Sequence, residues 1–477
     1  MAYDVLLTYP REKVNAFYNM IPAGLASIAA VLEQNNLSVK IIDFNFYSGD
    51  FRIDLVKWKP KVIGIGGTTP TRKGSFLTAR LSKEMLPDVP TVYGGVHASF
   101  TAEDTLKHIP EIDYIIKGEG EWSFLALCRY FIHGIPLSLD SLSGLSYRND
   151  GGFVHNPAQR IDHLDDLPLP ARHLFGEEYS LKLDFLNIPA DFIITSRGCT
   201  VSCVFCSASR MFPGGVRCRG SEHIQSEIEM ILSRRKVEGL KLFDSTFTSS
   251  KKHVHMFCDM IKPYHLKWEC EVRADSVDYD LLKRMKDAGC CYIDVGLETT
   301  DEVLLENCHK RITVKDAENV LYWSKQLNIR TKVFFIFGHP GQTIQSCFRD
   351  VKYIRKNRSQ IDFYSTTIGM RIYPGTKLEK RARQMGFIPD TFSWAHFKPS
   401  KWNYLIYEFD DQFVLYQKQL NYFGLFLIFV LLVLNGTIGS LHYIRELFIL
   451  NVRRFIRLSG ISFKHTVHRF SRRLRPY

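Results

Sequence analysis

The chain has 477 residues, 45% hydrophobic and 23% charged, a balance that fits two or three folded domains and excludes a disordered polypeptide. Of its net charge of +12, eight basic residues and no acid fall in residues 451–477, so the rest is nearly neutral and a nucleic-acid groove across the body is not expected. Eleven cysteines without regular pairing, and an apolar strand that starts directly after Met1-Ala2-Tyr3-Asp4, point to a reducing, cytoplasmic setting in which thiols hold metals.

Residues 1–135 alternate short apolar runs with amphipathic stretches. Strands are predicted at Asp4–Thr8, Val39–Asp43, Val62–Gly66, Thr91–Tyr93 and Tyr114–Ile116, and helices include Gly24–Asn35 and Phe76–Met85. That alternation means an α/β unit, a doubly wound (Rossmann- or flavodoxin-like) parallel sheet with helices on both faces. Glycines follow the strand ends at Gly66-Gly67, Gly94-Gly95 and Gly118/Gly120. Ligands of such sheets bind outside the carboxyl ends of the strands, where glycine lets backbone approach closely. Ordinary tight turns would use the same glycines.

Residues 136–189 read as a linker, with a hairpin turn at Asn149-Asp150-Gly151-Gly152 and a connector at Leu167-Pro168-Leu169-Pro170. A second alternating series fills residues 190–385. Asp191–Thr195 leads to Arg197-Gly198-Cys199, Leu240–Phe243 ends at Asp244, and Lys267–Val272 ends at Arg273. Tyr292–Leu297 ends at Glu298, Thr331–Phe337 at Gly338-His339-Pro340-Gly341, and Phe363–Met370 at Arg371. Six strands that each deliver a charged, thiol or glycine-rich element predict a partial (β/α)6 barrel with its chemistry on that rim.

Cys199, Cys203 and Cys206 form a C-x-x-x-C-x-x-C motif after the first barrel strand. Three soft thiolates suit zinc or an iron–sulfur cluster. Structural zinc usually takes four ligands, and Cys218 lies 12 residues beyond Cys206. A cubane with one open iron accounts better for three.

Residues 386–477 hold a hydrophobic and a basic segment. The 26 residues between Lys418 and Arg445 carry no formal charge, including Phe423–Leu434, and ~20 residues suffice to span a bilayer. Asn435-Gly436-Thr437-Ile438-Gly439 interrupts the run, and a span would put the basic tail on the wrong side for the positive-inside rule. A helix dipping into one leaflet, followed by a basic amphipathic helix at Leu441–Leu458, predicts peripheral attachment to the inner face of the cell membrane. A helix that closes the open barrel or forms a dimer is the alternative.

The cysteine spacing, with Phe205 before the last thiol, resembles the radical S-adenosylmethionine (radical SAM) superfamily. Phe243-Asp244-Ser245-Thr246-Phe247, Arg273-Ala274-Asp275, Ala288-Gly289-Cys290, Gly296-Leu297-Glu298-Thr299, Gly338-His339-Pro340-Gly341-Gln342-Thr343 and Tyr373-Pro374-Gly375-Thr376 extend the match over residues 190–380. Ser245 stands where a second acid is common, and Gln342 replaces the usual glutamate. The resemblance implies a four-iron, four-sulfur cluster on Cys199, Cys203 and Cys206. It implies S-adenosylmethionine bound at its open iron, and cleavage to a 5′-deoxyadenosyl radical that abstracts hydrogen from an unactivated carbon. Phe205, Asp244, Arg273, Glu298 and Gly338 are the residues expected to contact that cofactor. The alternative is that Arg273 and Glu298 form a structural ion pair with each other, and that Lys310 and Arg371 are surface charges.

Pro22-Ala23-Gly24-Leu25, Gly64-Ile65-Gly66-Gly67-Thr68-Thr69, Gly94-Gly95-Val96-His97 and Gly118-Glu119-Gly120-Glu121 resemble the cobalamin-binding domain that precedes many radical SAM barrels. Thr68, Thr69, Gly94, Gly95, His97, Gly118 and Glu119 are the contacts this implies, a core position being the other reading of His97. The D-x-H-x-x-G motif is not found, Asp43-Phe44-Asn45 being the nearest approach, so no cobalt ligand is named. The expected reaction is methylation of an unactivated carbon, on a lipid or isoprenoid if the C-terminus meets a bilayer. The alternatives are ring closure, ring contraction or oxidative cyclisation with the same cofactors, or a non-catalytic cluster or corrinoid carrier. Either enzymatic reading requires a flavodoxin- or ferredoxin-type electron donor.

Overall fold

The computed structural model describes residues 2–396 apart from 12–19, 184, 369, 385, 387 and 389. The hydrophobic run at Phe423–Leu434 and the basic helix expected at Leu441–Leu458 lie outside the described residues. Among those described, no helix is long and apolar enough to cross a membrane.

The first sheet contains β1 (Val5–Tyr9), β2 (Val39–Asp43), β3 (Val62–Ile65), β4 (Thr91–Gly94), β5 (Tyr114–Ile116), β6 (Leu145–Asn149) and β7 (Gly152–His155). Their order is β2-β1-β3-β4-β5-β6-β7, parallel as far as β5. Alternation along each strand sends Leu7, Val62 and Val92 to one core and Leu6, Ile63 and Tyr93 to the other. Helices Ala23–Gln34 and Glu121–His133 cover the first face, and Phe51–Trp58, Arg72–Met85 and Ala102–His108 the second. The expected hairpin turn joins β6 to β7, with Asn149 opposite Gly152, and extends the sheet antiparallel from β5. Strand order reverses between β1 and β3, the switch point where open α/β sheets bind ligands.

The second sheet is a curled partial barrel. It comprises β8 (Leu181–Lys182), β9 (Pro189–Ile193), β12 (Gly239–Leu242), β13 (Lys267–Val272), β14 (Cys290–Glu298), β15 (Arg330–Phe337) and β16 (Phe363–Ile368). A two-residue ribbon, β10 (Ser196–Arg197) with β11 (Arg217–Cys218), stands apart. The order β16-β15-β14-β13-β12-β9-β8 holds six parallel strands and one antiparallel edge. Trp268, Ile293, Val295, Val333 and Phe335 point outward into a core shared with the surrounding helices. Alternate residues, Glu269, Glu271 and Arg273 on β13 and just past it, therefore face the concave side.

The connector joins the barrel through Arg172. Its buried guanidinium donates to Asp191 (2.9 Å), to Glu227 (2.6 and 3.0 Å) and to the Phe192 carbonyl (2.6 Å).

Candidate active site

The cysteine loop leaves the barrel just past β9. Gly198 has φ of +103°, and a Cβ there would collide with the Gly215 carbonyl, so glycine is needed for the turn into Cys199. Val204 then ties the loop on both sides. Its amide donates to the Cys308 carbonyl (3.0 Å), and its carbonyl accepts from the Leu378 amide (2.9 Å). Phe205 packs against the buried cluster of Cys308, Met370 and Leu378. Cys203 is buried, and Cys199 and Cys206 are half-buried. Burial pushes the Cys203 thiol up to about 11, against the pull of Lys310. Among the described residues, no three His, Cys, Asp or Glu side chains converge as a single metal ion requires. A cubane takes each thiolate on a different iron and so does not require such convergence.

An ion pair lies beside the thiols. Glu298, at the end of β14, has φ of +72°, a costly conformation for a side-chain-bearing residue. Its carboxylate accepts from Lys310 Nζ at 2.6 Å, with the two side chains only 8% and 13% exposed. Lys310 is carried inward between His309 and Arg311, both at positive φ. Gly296 leaves the room, since a Cβ there would lie 2.6 Å from Lys310 Nζ. Arg273 takes Asp275 in a two-pronged pair (2.9 and 2.7 Å) and donates to the Lys310 carbonyl (3.0 Å). Arg273 and Glu298 thus have separate partners, and Lys310 is a buried charge.

Asp244 and Gly338 meet protein groups. The buried Asp244 carboxylate accepts from the Thr195 amide (2.7 Å), the Thr195 hydroxyl (2.5 Å) and the Ser196 amide (2.8 Å), bracing the strand end that carries the cysteine loop. Burial raises it to about 6 despite those bonds. The Gly338 amide donates to Gln342 Oε1 (2.5 Å), while Gln342 Nε2 donates to Asp350 (3.0 Å). Asp350 also accepts from Thr299 and Thr300. An amide accepts on one side and donates to a carboxylate on the other, which an ionised glutamate could not do, and this accounts for glutamine at 342.

A cavity of about 980 Å³ separates the strand ends of the first sheet from the barrel. Thr68, Gly94, Gly95, Gly118 and Glu119 line it on one side, and Ser196, Arg197, Phe243 and Ser245 on the other. Thr69 and His97 are buried and do not line it. His97 Nδ1 lies 3.1 Å from the Thr69 hydroxyl, its ring packs edge-on against Trp394, and burial holds it well below the usual histidine range.

Two carboxylates on this boundary form a clamp that sequence reasoning missed. Glu119 accepts from Arg197 (2.6 Å), Arg217 (2.7 Å) and the Ile161 amide (3.0 Å). Glu121 accepts from Arg197 (2.7 Å) and Ser27 (2.9 Å). Arg197 precedes Cys199 by two residues, so the first sheet directly grips the root of the cysteine loop. The only sequence signal was an arginine beside the motif and the two glutamates of Gly118-Glu119-Gly120-Glu121.

Comparison with known proteins agrees with both halves. A model described as the B12 binding domain matches residues 13–128, and one described as the radical SAM superfamily matches residues 193–354. An uncharacterized methyltransferase of Pyrococcus horikoshii is 30% identical over 365 residues, covering 75% of this chain and 77% of that protein. The chain belongs to the cobalamin-dependent radical SAM enzymes. The anaerobic magnesium-protoporphyrin IX monomethyl ester cyclase of Rubrivivax gelatinosus is 27% identical over 353 residues, covering 71% of this enzyme and 62% of the cyclase. The fold is similar to that of the radical S-adenosylmethionine methyltransferase TsrM from Kitasatospora setae, solved with cobalamin and a 4Fe-4S cluster (TM-score 0.67, 18% identity, 87% and 82% of the two chains).

Cobalamin, a 4Fe-4S cluster and S-adenosylmethionine are therefore the enzyme's cofactors, and the cavity suits the first of them. Its volume is at the top of the roughly 300–1,000 Å³ usual for cofactor pockets. A Cβ on Gly24 would meet no atom within 4 Å, and one on Gly94 only the Ile116 carbonyl at 3.9 Å. Side chains at these two lining positions would take up cavity space that glycine leaves open.

Proposed function

We propose that this enzyme methylates an unactivated carbon, with the corrinoid in the glycine-lined cavity and S-adenosylmethionine at the cysteine loop. The observation that carries the reading is the cavity wall formed by Ser196, Arg197, Phe243 and Ser245, which lead into the cysteine loop and follow β12. The corrinoid cavity and the barrel rim share these residues, so a substrate on the rim lies within reach of both sites. When bound, the cluster and S-adenosylmethionine supply a carbon radical and the corrinoid a methyl group.

The protein's part is to bind and orient. In this reading Cys199, Cys203 and Cys206 hold the cluster, and Arg273 and Glu298, with Lys310, receive the polar end of S-adenosylmethionine. Phe205 packs the loop, while the Gly338 turn and Asp244 fix strand ends around it. Thr68, Gly94, Gly95 and Gly118 meet the corrinoid largely through backbone, Glu119 anchors the wall, and Thr69 and His97 brace the floor. A flavodoxin- or ferredoxin-type protein supplies the electron. The lipid or isoprenoid reading depended on residues outside the described structure and is not carried further.

The similarity to a methyltransferase supports this reading, and the similarity to a cyclase defines its rival. Anaerobically reconstituted enzyme with cobalamin, reductant and S-adenosylmethionine separates them. Methylation yields S-adenosylhomocysteine together with 5′-deoxyadenosine. 5′-Deoxyadenosine alone would favour cyclisation or rearrangement, and uncleaved S-adenosylmethionine beside a loaded cluster a carrier. Cys203→Ala is expected to lose cluster iron and all 5′-deoxyadenosine while keeping cobalamin.

A further inference from the structure

Below the rim, the concave face of the barrel carries charge in registered rows. Lys241 on β12 stands beside Glu269 on β13 and pairs with it at 2.7 Å. One row nearer the rim, Glu271 on β13 stands beside Asp294 on β14, and Asp294 beside Lys332 on β15. Asp294 and Lys332 approach to 3.6 Å. At the rim, Glu298 has Lys310 and Arg273 has Asp275. Each of these charges has a counter-charge of its own.

Glu271 has none within ion-pair distance. Among the described residues it makes no hydrogen bond or ion pair; Asp294, its neighbour in register, is of like sign, and Lys310, Lys332 and Lys241, each paired elsewhere, attract it only from further off. Cys270 and Val272 on either side are buried in the outer core, so Glu271 points the other way, and it is exposed although its strand lies inside the sheet. That exposure is to the barrel lumen. The position lies two residues, about 6.6 Å along the strand, below Arg273. Burial by the barrel walls, and then Asp294, push its carboxyl up to about 7 against the pull of Lys310, Lys332 and Lys241, so near neutral pH the charge is held at a cost that a bound cation would relieve.

The surroundings suit a cation with an apolar body. Phe243, level with Glu271, and Phe334, one step nearer the rim, stand half-buried on the same face, with Lys241 Nζ 5.5 Å from the first ring and Lys332 Nζ 5.0 Å from the second. A hydrocarbon filling this space would strip water from Glu271 and return nothing, whereas an ammonium or guanidinium would supply the missing partner.

We infer that Glu271 binds a positively charged nitrogen of the substrate in the barrel lumen, which makes the substrate an amine or guanidine with an apolar or aromatic portion. This rests on the reading that the substrate enters the barrel beside S-adenosylmethionine. Glu271 is then a positioning residue that sets which carbon faces the rim.

The test uses enzyme loaded with cluster, cobalamin and S-adenosylmethionine, and two probes that differ in charge, phenethylamine and 2-phenylethanol, titrated by calorimetry at neutral pH. Phenethylamine is expected to bind about tenfold or more tightly than the alcohol, as one charged hydrogen bond provides. In Glu271→Gln the two should bind alike, with S-adenosylmethionine affinity and iron and cobalamin contents unchanged, and Glu271→Asp should recover part of the preference. Equal affinities in the parent, no binding of the amine, or a preference that survives in Glu271→Gln would overturn the assignment. Loss of S-adenosylmethionine binding in Glu271→Gln would overturn it too, by moving the residue into the cofactor site. Product analysis for S-adenosylhomocysteine is a separate measurement, so methylation can fail while the amine preference stands, and the reverse.

Discussion

The two ligand regions share one plan, parallel strands whose carboxyl ends meet a ligand, but they are built from opposite materials. The first sheet offers Gly66, Gly67, Gly94, Gly95, Gly118 and Gly120 to its cavity, so contact there is largely with backbone and with space. The barrel rim offers ionised side chains set by partners, as Lys310 sets Glu298 and Asp275 sets Arg273. In the proposed reading a large corrinoid is recognised by shape, for which the absence of Cβ atoms is the device. A cluster and a charged sulfonium cofactor are recognised by electrostatics, which needs fixed charges in a water-poor setting. Substitutions should therefore fail differently in the two regions, sterically in the first and electrostatically in the second.

The clamp between them is where one substitution should damage both. Glu119→Ala removes a carboxylate only 3% exposed and leaves Arg217 without it and Arg197 with Glu121 alone. Breaking a buried ion pair from one side costs about 3–5 kcal/mol. A lower thermal midpoint is expected together with reduced cobalamin and cluster contents. Loss of cobalamin alone, at unchanged stability, would show that the two regions are not coupled through this contact.

A milder break is purely steric. Gly95 has φ of +99°, and its Cβ would come within 2.5 Å of the Gly67 carbonyl. Gly95→Ala should cost about 1–3 kcal/mol and lower cobalamin retention, with cluster iron intact. Gly94→Ala makes the control, because its Cβ meets only the Ile116 carbonyl at 3.9 Å. Its stability should hold while cobalamin binding weakens, since the new methyl group occupies the cavity. Normal cobalamin affinity in Gly94→Ala would contradict recognition by vacant space.

What the sequence revealed follows from the same physics. Alternation and glycine placement are local signals, and they put Val39–Asp43, Tyr114–Ile116 and Lys267–Val272 where the strands lie, with the other predicted strands within a few residues. The three-cysteine spacing is local as well. Partners are not local. Glu119 meets Arg197 across 78 positions, and Lys310 reaches Glu298 only because His309 and Arg311 adopt positive φ, which neither residue type announces. Asp244 read as a ligand of the rim because it ends a strand, but the amides of Thr195 and Ser196 turn it towards the neighbouring strand. Gln342 read as a departure from a family pattern until Asp350 supplied its reason.

Glu271 should give the smallest effect and the sharpest contrast between paired and unpaired charge. Its carboxyl is raised from an ordinary 4.5 to about 7, by burial first and by Asp294 second, with Lys310, Lys332 and Lys241 opposing. Between those values the native state keeps a proton that the unfolded chain has released. Native stability therefore falls as pH rises through that window, and the penalty is complete above about 7. Glu271→Gln removes this titration, so the thermal midpoints of parent and variant should nearly coincide at low pH and separate at about pH 8, with the variant higher. Water in the lumen screens the charge and keeps the gap small. A paired carboxylate gives the opposite sign, because replacing it with an amide discards an attraction. A variant less stable than the parent at about pH 8 would mean that Lys310, Lys332 and Lys241 already satisfy Glu271 in the resting protein, leaving no vacancy for a substrate nitrogen to fill.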